Sequence, residues 1–148
     1  IGGGLEIAAC CDLRICGEGS RFGIPIARLG FPLAPLEAQR LARVLPLTLL
    51  RELLIEARLL DAPEALARGI VNRVASDADV AAEVQRSAQR IAALSPQAMR
   101  LNKITLRQLA AGGPSADELR AHYAYAPSDE HREGLAAFIA RRPARFPP

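Results

Sequence analysis

Gly2-Gly3-Gly4-Leu5-Glu6-Ile7-Ala8-Ala9 is the stretch from which the rest of this 148-residue chain is read. Three glycines running into Leu-Glu-Ile-Ala-Ala predict a tight loop that enters a helix at once and continues to about Cys10. The first backbone N–H groups of a helix have no intrahelical partners, so the loop is a candidate cradle for developing negative charge. Glu6 falls in the first helical turn, where its carboxylate can meet an atom held by the loop. The same pattern also fits a plain turn, with Glu6 placed there by the helix dipole alone.

Outward from this stretch, Asp12-Leu13-Arg14-Ile15-Cys16 alternates polar and apolar residues and predicts a half-buried strand. Gly17 to Ser20 is turn chemistry, and Arg21-Phe22-Gly23 predicts a second short strand before Pro25. After the rigid loop Gly30–Pro35, a helix over 36–44 carries apolar residues at Leu36, Leu41, Val44 and Leu45. A second helix, restarted at Pro46, presents Leu49, Leu50, Leu53, Leu54 and Ala57 on one face. Asp61-Ala62-Pro63-Glu64 is a capping box, and the helix it starts is expected to stop at a left-handed Gly69. Ile70 to Val74 reads as a brief strand. Beyond Ser76 only helices are expected, over 79–94, from Ser95-Pro96 to about Ala111, from Ser115 and from Ser128. The division is therefore a mixed α/β part over 1–75 and an all-helical part over 76–148.

Composition narrows the function classes. An apolar fraction of 50% suffices for a packed core. No run approaches the ~18 apolar residues of a membrane span, and no secretory signal is visible. The net charge of +3 is carried almost wholly by arginine, Lys103 being the one lysine. No basic cluster is interleaved with aromatics, and Trp is absent, which disfavours nucleic acid. Cys10, Cys11 and Cys16 are odd in number, lack paired metal-ligand spacing, and read as reduced, buried residues of a cytoplasmic protein. A start at Ile1 that enters the glycine loop without a leading strand suggests a fragment. No nucleophile-elbow, P-loop or dinucleotide motif occurs.

The glycine-Glu6 stretch, Cys11–Ile15, Arg21-Phe22-Gly23-Ile24-Pro25, Leu29-Gly30, Gln39-Arg40-Leu41, 65–74 and Arg132–Phe138 together resemble the crotonase superfamily, the enoyl-CoA hydratase/isomerase family, over its later part. The resemblance implies an α/β fold: an incomplete crotonase-type ββα spiral, its N-terminal part missing, followed by a helical C-terminal oligomerisation region. It implies an acyl-CoA thioester substrate, with coenzyme A belonging to the substrate and no separate cofactor. It also implies assembly as a homotrimer or dimer of trimers, with no nucleic-acid or membrane partner. Gly3 falls on a backbone oxyanion donor of the family and Glu6 on the first of its two catalytic glutamates. The second glutamate position, directly after Phe-Gly-x-Pro, is Ile26, which puts two-carboxylate hydration in doubt and leaves enolate chemistry with one acid/base. Glu37, in an altered loop, is a replacement carboxylate or simply a solvated helix-start residue. Phe138 and Arg141 fall where relatives approach the CoA nucleotide; their alternatives are packing and a solvated cation. His122 and His131 are expected in surface or packing roles, and no metal site is expected. The competing expectation is a catalytically inactive CoA-binding or assembly module.

Overall fold

A computed structural model describes residues 1–147. The chain divides after Gln85 into two compact units, and the division falls within a helix.

In the first unit, α1 (Gly3–Ala9) begins at Gly2, whose φ of 57° and ψ of −132° belong to glycine. The Gly2 N–H donates to the Gly23 carbonyl at 2.8 Å, which ties the loop to the segment beyond β1. Leu5 and Ala9 turn into the core while Ile7 lies 73% exposed. The apolar residues of this helix are thus divided between two faces, and Cys10 and Cys11 just beyond it are exposed. Only Cys16 is buried among the three, which corrects the expectation for the other two.

The strands are shorter than the alternation predicts. β1 (Ile15–Gly17) pairs in parallel with β2 (Arg73–Ala75), in the register Ile15↔Arg73, Cys16↔Val74, Gly17↔Ala75. Side chains and the Ala65 carbonyl take backbone groups that would have lengthened them. The Arg14 N–H donates to Asn72 Oδ1 at 2.8 Å and its guanidinium to the carbonyls of Cys11 and Ile70. Ile70 and Val71 both donate back to the Ala65 carbonyl. The expected strand at Arg21–Gly23 is a single antiparallel bridge, Phe22 with Leu60.

A 3-10 turn, α2 (Ile26–Leu29), was not foreseen and closes on a left-handed Gly30. Then come α3 (Pro35–Ala42), α4 (Leu47–Ile55) and α5 (Ala62–Ala67). Leu41, Leu45, Leu49, Leu50 and Leu53 join Leu5, Ile24, Leu60 and Ile70 in one core. Leu36 and Val44, expected on that inward stripe, are exposed. The Asp61–Glu64 capping box forms as read, and Gly69 has a φ of 73°.

α6 (Val80–Ala92) crosses the division. In the second unit, α7 (Pro96–Ala110), α8 (Ala116–His122) and α9 (Asp129–Ile139) each begin at the serine that the sequence marks, Ser95, Ser115 and Ser128. Each serine accepts from a backbone N–H three residues on. Among the described residues no strand follows β2, and no helix is long and apolar enough to cross a membrane.

Candidate functional site

The helical period decides which residues of α1 share a face. Gly3, Glu6, Ile7 and Cys10 stand at i, i+3, i+4 and i+7, and Glu37, Arg40 and Leu41 repeat the pattern on α3. These two faces line one recess of about 360 Å3. Its floor is supplied by Leu41, which is 1% exposed, and its rim by charged side chains. The apolar opposite face of α1 anchors it in the core through Leu5 and Ala9.

Gly3 contributes a backbone group rather than a side chain. The N–H groups of Gly2, Gly4, Leu5 and Glu6 donate to backbone carbonyls. That of Gly3 has no partner among the described residues. A Cβ built at Gly3 or Gly4 meets nothing within 4 Å, so open space adjoins the loop. This arrangement can receive a partly negative oxygen at Gly3 with a carboxyl group nearby.

Glu6 is partly buried, and its carboxyl is raised above the usual carboxylate value, first by desolvation and then by the negative charge of Glu37. The raised state persists although Arg40 lines the same recess. Spacing alone could have found the face shared by Glu6, Ile7 and Cys10. That α3 presents Glu37 and Arg40 to it is a tertiary fact without a local signal.

Ile26 lies elsewhere. It packs against the core and, with Phe31, Pro32, Leu33, Ala38 and Leu54 among others, lines a neighbouring apolar recess of about 500 Å3. α3 is common to both recesses, giving Glu37 to one and Ala38 to the other.

In the second unit, Phe138 is 83% exposed, and Arg141 follows α9 with a φ of 51°. His122 and His131 each meet Tyr125 edge-on, with centroids 5.9 and 5.5 Å away. All three line a recess of about 270 Å3 with Gln97 and Asn102. Among the described residues no three His, Cys, Asp or Glu side chains are grouped to hold a metal ion.

Comparison with solved structures gives the class first: the chain has the crotonase fold. An enoyl-CoA hydratase/carnithine racemase from Magnetospirillum magneticum superposes with a TM-score of 0.93 at 40% identity, over 99% of this chain and 55% of that one. A family profile described as enoyl-CoA hydratase/isomerase matches residues 1–147, and the chain belongs to that family. A crotonyl-CoA hydratase from Syntrophomonas wolfei is 33% identical over 99% of this chain and 57% of its own length. The human mitochondrial methylglutaconyl-CoA hydratase is 32% identical over 99% of this chain and 45% of its own. The chain thus spans about half the length of the curated relatives it matches.

Proposed function

We propose that the recess between α1 and α3 is part of an acyl-CoA site in which the Gly3 N–H receives the thioester oxygen as an enolate develops. Glu6 serves there as the acid/base. The observation that carries this reading is the partner-free Gly3 N–H beside a carboxyl whose proton affinity is raised. A carboxyl brought toward neutral pH is better matched to proton transfer than an ordinary one. A preoriented oxyanion donor is worth about 2.7–4 kcal/mol in the transition state.

Isoleucine cannot move a proton, so Ile26 favours enolate reactions such as isomerisation, decarboxylation or thioester cleavage over hydration by the usual glutamate pair. Coenzyme A enters with the substrate and leaves with the product. Exposed Phe138 and Arg141 are the proposed contacts to its nucleotide, where a guanidinium suits phosphate. The spiral core over 1–75, the helical region over 76–148 and trimeric assembly belong to the same proposal, as does a cytoplasmic setting.

Replacing Glu6 by Gln in the full-length protein is expected to lower turnover of enoyl-CoA esters by about 10²–10⁴. Turnover equal to wild type would remove Glu6 from the chemistry. Ile26 also favours a second reading, a CoA-binding or assembly module without catalysis. Calorimetric binding of acyl-CoA by a full-length protein that turns over no ester in the panel would establish it over the first.

A further inference from the structure

The position that the usual second glutamate would fill is apolar, yet the recess holding Glu6 contains another carboxylate. We infer that Glu37, delivered by the first turn of α3, is the second proton-handling group of this site and works across the recess with Glu6. The inference rests on the acyl-CoA reading above and adds a residue to it.

Three observations carry it. Glu37 and Glu6 line one recess together with Gly3, so both residues border the space next to the partner-free N–H. Ile26, at the family position, is apolar and lines a different recess. The two carboxyls also sense each other electrostatically, since the charge on Glu37 raises the proton affinity of Glu6. In this pairing Glu6, the partly buried member, takes the role of acid and exposed Glu37 the role of base.

The chemistry this permits is a 1,3-proton shift on a β,γ-unsaturated acyl thioester. The Glu37 carboxylate takes the α-proton, the C–H pair moves into the enolate, and the charge goes to the thioester oxygen at Gly3. Protonated Glu6 then gives its proton to the γ-carbon as the enolate collapses to the α,β-alkene. One carboxyl has gained the proton that the other lost, and passing it back across the recess restores the start. No oxidant, reductant or water is consumed.

The test uses the full-length protein with 3-hexenoyl-CoA as the probe. Glu37→Gln is expected to lower kcat by about 10² or more with KM little changed, and to erase one limb of the pH profile. Glu37→Asp should restore part of the rate. Followed by carboxyl-carbon NMR, Glu6 should titrate at lower pH in Glu37→Gln than in wild type. Wild-type turnover in Glu37→Gln beside an inactive Glu6→Gln would overturn the role of Glu37 alone, as would an unmoved Glu6 titration. Equal losses of acyl-CoA binding and turnover in Glu37→Gln would make it a structural residue and overturn the inference too. Absence of any acyl-CoA turnover in the wild type would overturn the reading of the site itself, and the catalytic role of Glu37 with it.

Discussion

Gly3 contributes one hydrogen, and a substitution exists that removes it while keeping a residue suited to the helix start. Proline is tolerated at the first helical position because its missing N–H is unused there and its φ already suits the helix. Gly3 occupies that position in α1, and a Cβ added there meets nothing within 4 Å. Gly3→Pro is therefore expected to keep the helix content and thermal transition near wild type while turnover of an acyl-CoA ester falls about 10²–10³. Circular dichroism and initial rates on one preparation check both halves; a matched loss of structure would defeat the argument. At this scale the sequence placed the glycine loop at the start of α1 and Glu6 in its first turn, because a glycine run entering a helix defines its own backbone geometry. It was nearly silent about Arg40, and it left Glu37 between two roles, because i, i+3, i+4 spacing defines a face and not the face it meets.

Between residue and molecule stand the short strands and their bridge. Phe22 and Leu60 exchange both backbone hydrogen bonds, at 2.9 and 2.8 Å, and Gly23 follows directly. A Cβ at Gly23 would lie 2.6 Å from the Arg58 carbonyl oxygen and 2.5 Å from Leu59 Cδ2. The leucine can turn away, but the carbonyl belongs to backbone held next to the bridge. Gly23→Ala is thus expected to destabilise the chain by about 1–3 kcal/mol, read as a lower denaturation midpoint in urea. An unchanged midpoint would show that the bridge yields. The helix starts at Asp61, Ser95, Ser115 and Ser128 were legible because capping is local chemistry between a side chain and an N–H three residues away. Strand lengths were not, because Arg14, Asn72 and the Ala65 carbonyl compete for the same backbone groups from distant positions. The exposure of Cys10 and Cys11 escaped because neither their number nor their spacing says which face of α1 meets the core, and only Leu5 and Ala9 of that helix are buried in it.

For the molecule as a whole, carboxylates set the response to acid. Glu133 is held down to about 2 by the Arg142 guanidinium and the Arg145 N–H, and Glu52, Glu118 and Glu130 are also lowered from the ordinary 4.5. Each binds its proton less readily when folded than when unfolded, so its contribution is complete above 4.5 and is lost as pH falls through the lowered value. Glu6 runs the opposite way: its raised value makes its contribution largest in acid and loses it as pH rises. Melting temperature is expected to fall between pH of about 4.5 and about 2, and Glu133→Gln should narrow its gap to wild type over that window. A gap independent of pH would exclude the ion pair as its source. The fold was legible at this scale through an ordered set of motifs along the whole chain. The meeting of α1 with α3 was not, since it depends on packing. The pairing of β1 with β2 carries a consequence of its own. Arg14 and Asn72, 58 residues apart, clasp each other beside that ladder, so everything from the glycine-anchoring segment to α5 is one closed loop. Its closure entropy grows only slowly with length, so added residues in that loop are cheap. A peptide-bond cut within it is a different matter: β1 and β2 lose the connection that keeps each at high effective concentration for the other, and a folding step becomes an encounter between separate chains.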